Sequence, residues 1–374
     1  MDYLPLSAGI LLFYYAAFLF RVCRGIVRLK RISSEKANDS VPYVSVIIPF
    51  RNEEKNIPRL IASLEGQKYP KDSFEILLIN DHSDDSSVKI IQAYTGEISV
   101  TLLHLPDGVT GKKSAITYGV SHARGEIIAG TDADCVHSPE WLSTLSAAFD
   151  STTGMVTGPV TIAEGKGIFE RMQRLEHAGL SLSGAGLIGT NHPVICSGAN
   201  IAYRKSLFEK INGFDAAKTL TSGDDEQLMH KIFYQEKKKV VFLFDKRCLV
   251  TTIPEKRTAE FLQQRRRWAS KSLNYRIQTI LMLSPLFLFF IAYIALFAAA
   301  VHDPAQYTLF FLAVFLLKTA ADFMVLRQGV GIYMEKLSPG VLLPAELLHP
   351  LYIIYSVLAG VFSGFTWKKR DHRK

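Results

Sequence analysis

Apolar residues crowd the two ends of this chain and are spaced out in the middle. Residues 4–20 carry no charge, and residues 277–301, 305–326 and 341–367 are rich in Leu, Phe and Ala. Each run is near the ~20 residues that cross a bilayer as a helix. Between about residues 42 and 256 the pattern becomes globular. Val44 to Pro49 is a β-branched run ended by proline, a first strand. Residues 53–67 place Ile57, Leu60, Ile61 and Leu64 at helical spacing. Residues 74–79 and 100–103 read as the second and third strands, residues 84–94 and 112–123 as helices, and residues 126–129 as a fourth strand. Strands alternating with helices predict parallel βαβ units and an α/β sheet.

Charge adds a topology. Asp2 precedes the first apolar run, and Arg21, Arg24, Arg28, Lys30 and Arg31 follow it. A signal peptide would carry the positive charge in front, so the run reads as an anchor. The basic cluster predicts that the globular part is cytoplasmic. A net charge of +8, from 43 basic and 35 acidic residues, lies largely beside the apolar runs. It reads as contact with anionic lipid headgroups and not as nucleic-acid binding. Cys23, Cys135, Cys196 and Cys248 form no C-x-x-C pair, which speaks against a disulfide frame or a zinc site.

The candidate chemistry sits at strand ends. Glu53 follows the first strand, Asp81 the second, and Asp132 and Asp134 the fourth. In a parallel sheet these ends share one edge, where α/β folds bind ligands. No G-x-G-x-x-G follows the first strand, which argues against a dinucleotide enzyme. Two hard carboxylates one residue apart suit Mg²⁺ or Mn²⁺ and leave coordination positions for a diphosphate. A solvated acidic turn is the plain alternative for the pair.

The motifs VSVIIPFRNEE, LLINDHSDDS, TGKKSAITYG, GTDADC, CSGANIAY, INGFD, SGDDEQL and QQRRRW occur in order over about residues 44–268. The chain thereby resembles family 2 glycosyltransferases, inverting enzymes of the GT-A fold. It is most similar to the membrane-embedded branch that includes cellulose, chitin, hyaluronan and poly-N-acetylglucosamine synthases and ceramide glucosyltransferases. The resemblance implies a Rossmann-like α/β GT-A domain with a mostly parallel sheet and with amino- and carboxyl-terminal membrane helices. The expected organisation is a membrane helix over 4–26, the GT-A domain over 42–256 and an amphipathic interfacial helix over 257–276. Membrane segments follow over 277–301, 305–326 and 341–367, the last crossing or re-entrant.

By resemblance, Glu53 and Asp81 hold the nucleotide, and Asp132 and Asp134 hold the metal, with Asp132 also at the nucleotide. The alternatives are a helix-start charge for Glu53 and a turn residue for Asp81. Lys112 follows Gly111 at a helix start and can reach the diphosphate or stay solvated. Asp84 and Asp85 read as caps of the next helix. His137 is either a further metal ligand or a structural histidine. In SGDDEQL the family pattern places the catalytic base on Asp225 and its acidic neighbour on Asp224, where a helix-start pair is the alternative. Gln264, Arg267 and Trp268 match Q-x-x-R-W and share one helix edge, for the diphosphate and the acceptor. A basic interfacial helix held by headgroups is the other reading. The small residues of 196–203 match the family's sugar-binding region.

The expected reaction is hexosyl transfer from a nucleotide sugar, a UDP-sugar by resemblance, to a hydroxyl of a glycan or lipid acceptor. It would serve polysaccharide or cell-envelope synthesis from a multi-pass position in the cell (inner) membrane. Single transfer to a lipid and an inactive membrane scaffold are the alternatives. Three full crossings after the domain would leave Lys368, Lys369, Arg370, Arg373 and Lys374 outside, against the positive-inside bias. Pro344, Glu346, His349 and Pro350 are also unusual for a lipid-facing span. Residues 342–350 are therefore expected at the cytoplasmic interface or re-entrant.

Overall fold

Strand β1 (Val44–Phe50) is buried along nearly its whole length, as a strand flanked by neighbours in the middle of a covered sheet must be. The computed structural model describes residues 3–32, 41–214, 223–271, 274–362, 365–367 and 370–372. Helix α1 (Tyr3–Ile32) precedes β1. After it come α2 (Ile57–Glu65), β2 (Phe74–Asn80), α3 (Ser87–Gln92), β3 (Ser99–His104), α4 (Lys112–His122) and β4 (Ile127–Gly130). The second half of the domain holds β5 (Val136–His137), α5 (Trp141–Ser146), β6 (Thr153–Thr157), β7 (Val160–Ile162), α6 (Ile168–Gly189), β8 (Ile201–Arg204), α7 (Lys205–Lys210), α8 (Asp224–His230), β9 (Lys239–Phe242) and β10 (Val250–Thr252). The chain closes with α9 (Thr258–Ala269), α10 (Ile277–His302), α11 (Pro304–Gln328) and α12 (Pro339–Phe362).

The main sheet runs β3-β2-β1-β4-β8-β6-β9. Strands β1 to β4 are mutually parallel, β6 and β9 are parallel, and β8 enters antiparallel between β4 and β6. In register, Phe50 pairs with Asn80 and Asn80 with His104, so the loops after β1 and β2 leave side by side. A small sheet of β5, β10 and β7 backs the fourth strand's exit.

Several elements are shorter than their patterns suggest. The expected helix over 53–67 begins at Ile57, with Pro58 in its first turn. The one over 84–94 is confined to Ser87–Gln92, because Asp84 and Asp85 are engaged with Asn52 and Glu54. The interfacial helix expected over 257–276 ends at Ala269; residues 272–273 lie outside the described residues. The sequence pattern predicts none of β6, β8 and β9, and the end of the stretch 196–203 forms the antiparallel β8.

Among the described residues four helices, over residues 3–30, 277–302, 304–328 and 339–362, are long and apolar enough to cross a membrane. On α1, Ala8, Leu12, Tyr15, Leu19, Val22, Ile26 and Leu29 form a buried stripe at helical spacing, while Leu6, Ile10, Phe13 and Phe20 face outward. Being apolar on both faces, its first half suits a lipid surround. Its second half packs on α6 through glycines. A Cβ on Gly186 would meet Val22 Cα at 2.7 Å, and one on Gly189 would meet Gly25 C at 2.7 Å.

Helix α12 continues through Pro344 and Pro350, and both its ends return to the domain. Before it, the Tyr333 carbonyl accepts bonds from Thr161 Oγ1 (3.1 Å) and Arg174 Nε (2.8 Å). Further along, the Tyr352 ring meets the edge of Phe261 on α9, and Gly360 sits against the Arg266 carbonyl and the Ser270 amide. Of the basic tail, Lys368, Lys369, Arg373 and Lys374 lie outside the described residues.

The glycine seam makes a direct prediction. Gly186→Leu should wedge α1 from α6 and lower stability by about 1–3 kcal/mol, read as a fall in the thermal unfolding temperature in detergent. Gly9→Ala, with nothing within 4 Å of the added carbon, should leave that temperature unchanged or slightly higher. Equal behaviour of the two variants would refute the seam's importance.

Candidate active site

The loops after β1 and β2 are laced to each other before any ligand is considered. Asn52 and His82 take left-handed conformations, φ 55° and 54°. Asn tolerates that region better than most residues. The Asn52 side chain donates to Asp84 Oδ1 (2.6 Å) and accepts from the Asp84 amide (2.9 Å). The Glu53 amide donates to Ser87 Oγ (2.8 Å), and the Glu53 carboxylate accepts from Asn56 Nδ2 (2.6 Å). Asp85 accepts from the amides of Glu54 and Ser87, so the expected capping role is shared with the neighbouring loop. Asp81 Oδ2 accepts from the Gly111 amide at 3.1 Å. Gly111 has φ 98°, which a side chain would strain, and it leads directly into Lys112.

Lys112 joins three sites. Its ammonium bonds Asp132 Oδ1 at 2.6 Å, and Asp224 and Asp225 lie near enough to hold its charge. Burial opposes that charge, but Asp132 and Asp224 outweigh it, and the pKa rises. Asp134 accepts from Thr252 Oγ1 at 2.9 Å. Burial, then the charges of Asp132 and Glu53, raise its pKa. Crowded carboxylates of this kind are relieved by a cation. Among the described residues no group of three or more His, Cys, Asp or Glu side chains is placed to hold a metal alone. Two carboxylates suffice for a magnesium-like ion that takes its remaining ligands from a substrate diphosphate and water. Asp132 and Asp134 fit that arrangement.

His137 does not join it. Its Nδ1 lies 3.1 Å from Ser63 Oγ and its Nε2 lies 2.8 Å from Thr131 Oγ1, so both ring nitrogens are engaged. Burial lowers its pKa to about 3. It is a neutral structural histidine packed on Trp141, at 4.3 Å between ring centres.

Asp224 and Asp225 open α8 directly after Gly223, which is left-handed. Asp225 Oδ2 accepts from the Gly198 amide (2.7 Å), and Oδ1 from the Glu226 amide (2.9 Å). The stretch 196–203 thus reaches the site through a backbone amide. Asp224 is buried; burial raises its pKa, Lys112 opposes the rise and Asp225 adds to it. Lys112, Thr131, Gly198, Tyr203, Asp224 and Asp225 line one pocket.

On α9, Gln264 Nε2 donates to Glu255 Oε1 at 3.0 Å. Burial lowers the Arg267 pKa, while Asp132, Asp224, Asp225 and Glu255 hold its charge, so it faces the acidic site. Trp268 stands edge-on to His177 at 6.1 Å and is covered by the Arg265 guanidinium at 4.3 Å. Arg265 is itself buried and ion-paired with Glu176 of α6.

Two groups were missed in the sequence. Glu226 is buried, bonded to Lys271 (2.8 Å) and the Tyr275 hydroxyl (2.8 Å), and pushed up to about 7, chiefly by burial with Lys271 opposing. It ties α8 to the segment after α9. Its signal was the third acid of the Asp-Asp-Glu run. Glu176 has no comparable signal, because a single acid in a helix reads as surface.

With this geometry in view, residues 45–212 match the sequence model described as glycosyl transferase family 2. The chain carries a family 2 glycosyltransferase domain. The chain is 29% identical over 184 residues to a probable glycosyltransferase, YdaM, of Bacillus subtilis, covering 47% of this chain and 43% of that protein. It is 33% identical over 114 residues to an undecaprenyl-phosphate 4-deoxy-4-formamido-L-arabinose transferase of Shewanella sediminis, covering 30% of this chain and 34% of that one. The chain therefore spans less than half the length of these curated relatives. In fold it is similar to the mannosyltransferase PcManGT of Pyrobaculum calidifontis, solved with GDP-Man and Mn²⁺. The TM-score is 0.56 at 19% identity, over 96% of this chain and 97% of that one. That likeness is one of fold, GT-A, and it extends over the helices outside the family 2 domain.

His137 supplies a pH prediction. It is neutral in the folded state, with pKa about 3, and ordinary, 6.5, when unfolded. The unfolded chain binds its proton first, so stability is full above the unfolded value and is lost as pH falls through that window. His137→Gln should flatten the fall in unfolding temperature between about pH 7 and about pH 5. An unchanged slope would contradict the neutral, buried assignment.

Proposed function

We propose that this chain is a membrane-bound inverting hexosyltransferase that moves a sugar from a nucleotide sugar to an acceptor hydroxyl. The observation that carries the reading is the convergence of Lys112 with Asp132, Asp224 and Asp225 beneath the Arg267 face of α9. Glu53 and Asp81 bind the base and ribose, whose N–H and O–H groups need acceptors. Asp132 and Asp134 would hold Mg²⁺ or Mn²⁺, which when bound would offset charge on the departing diphosphate. Lys112 and Arg267 hold the diphosphate from two sides.

Asp225 takes the acceptor proton. Its carboxylate is oriented by two backbone amides, those of Gly198 and Glu226. The acceptor oxygen attacks the anomeric carbon as its proton passes to Asp225. The bond from that carbon to the diphosphate oxygen breaks, and the nucleoside diphosphate leaves with the electron pair. Attack opposite the leaving group inverts the centre. Trp268 offers an aromatic face to the acceptor. UDP-sugars are the first donors to test; the solved neighbour binds GDP-Man. Intact carboxylates at every expected position oppose an inactive scaffold.

The proposed setting is the inner membrane with the domain cytoplasmic. Helices α1, α10 and α11 cross, and α12 lies along α9 at the cytoplasmic face, since the segment before it meets the domain and its last turn meets α9. The acceptor classes in play are a growing glycan and a lipid.

The test is nucleoside diphosphate release from a panel of labelled nucleotide sugars by the full chain in detergent, with and without chelator. Asp225→Asn should retain donor binding and lose roughly 10²-fold or more in turnover, and chelation should abolish turnover until Mn²⁺ or Mg²⁺ is restored. A fully active Asp225→Asn enzyme would falsify the base assignment. For the topology, a fluorescent reporter fused after Lys374 should shine in the cytoplasm; alkaline phosphatase activity at that position would show a fourth crossing.

A further inference from the structure

Behind the α9 helix, away from the nucleotide, lies a cavity of about 590 Å³. It has room for roughly 20 water-sized or methylene-sized groups. Its walls come from α1, α6, α9, α10, α11 and α12, and most of its surface is Leu, Phe, Val, Ala and Met. Cavities of this size and lining bind apolar ligands. The polar exceptions are specific. Three carboxylates line it, Glu176, Asp322 and Glu346, and among the described residues no lysine or arginine does.

The cations that balance those carboxylates stand behind them. Lys318 is fully buried and bonded to Asp322 (2.8 Å) and to Glu346. Arg265 is bonded to Glu176. An anionic headgroup entering the cavity would meet carboxylates first, and such groups repel it in a low-dielectric setting. An uncharged hydroxyl would find acceptors instead. The Tyr352 hydroxyl is buried and faces Glu176. That pair lies at the end of the cavity nearest α9.

That end adjoins the chemistry. Phe261 and Leu262 of α9 line the cavity, and Arg265 covers both the Phe261 ring and the Trp268 ring at 4.3 Å. Glu176 lines the cavity while its neighbour His177 meets Trp268. One layer, the Arg265–Glu176 pair, separates hydrocarbon space from the aromatic face offered to the acceptor.

We propose that this cavity holds the hydrocarbon of the acceptor, and that the acceptor is a lipid with an uncharged, hydroxyl-bearing head of the diacylglycerol class. The assignment rests on the transferase reading above. The lipid hydroxyl reaches Trp268 past Arg265 and Glu176, gives its proton to Asp225 and forms the new bond to the anomeric carbon, while the nucleoside diphosphate departs. Helix α12 closes the cavity from the membrane side.

The experiment is photocapture by the full chain in nanodiscs, without nucleotide sugar, of a clickable diazirine diacylglycerol, with adducts mapped by peptide mass spectrometry. Adducts should fall on α6, α9 and α12. Unlabelled dioleoylglycerol should displace the probe about tenfold better than dioleoylphosphatidylglycerol or a polyprenyl phosphate, and Leu180→Trp or Leu262→Trp should cut capture by about tenfold or more. Both variants should keep the thermal shift induced by nucleoside diphosphate and Mn²⁺, which shows that the domain is folded. Adducts confined to the outer faces of α10 and α11, or equal competition by the anionic lipids, would overturn the proposal. So would capture in the cavity combined with donor turnover that never glycosylates the lipid. Capture with no donor turnover under any condition would sink the transferase reading and leave the lipid site standing.

Discussion

Like charges crowded at one sheet edge are the constraint on which this structure depends. Asp132 acts on both Asp134 and Asp224, Asp225 crowds Asp224, and Glu53 adds its field to Asp134. Such a cluster costs folding free energy unless positive charge is brought to it. Lys112 is the resident answer, bonded to Asp132 and flanked by the α8 pair. Arg267 is held toward the same carboxylates despite its burial. The strain left over is what a divalent ion and a diphosphate would complete.

The elements around the cluster can be read as devices for holding it together. Gly111 bridges Asp81 to Lys112, so the loop after β2 is tied to the start of α4. The Gly198 amide fixes Asp225. Glu226 ties α8 to Lys271 and Tyr275, just before α10 begins. The acidic pair is therefore braced against the residues that lead into α10, and α9 is braced through Arg265 against α6. The long apolar helices and the site are mechanically linked.

Much of the fold was legible in the sequence for a physical reason. Strands β1, β2 and β4 are buried on both faces, so they read as continuous apolar runs ending in polar loops. The acids at their ends stand out against that background. The late strands β6 and β9 escaped notice because Thr153–Thr157 and Lys239–Phe242 are short and polar at one end, and their partners are remote in the chain. The site was legible where motifs are local, as at Asp132 and Asp134. It was not legible where the partner is tertiary. Nothing in Leu-Glu-His at residues 175–177 announces that Glu176 meets Arg265 or that His177 meets Trp268. His137 was ambiguous for the same reason, since only Ser63 and Thr131 decide what its nitrogens do.

The α1–α6 seam bears on what counts as a part of this protein. A single continuous core runs from Ala8 and Val22 of α1 through Leu182 and Ile188 of α6 to Ile47 and Leu77 of the sheet. Glycine to glycine contact at Gly25 and Gly186 leaves no layer of side chains between anchor and domain. A fragment that begins at β1 would carry a wound: the α6 face that α1 covers would be bare apolar surface, prone to self-association. Helix α1 is thus an internal wall of the domain. A soluble version would need that wall rebuilt by a substitute helix or by polar substitutions along α6.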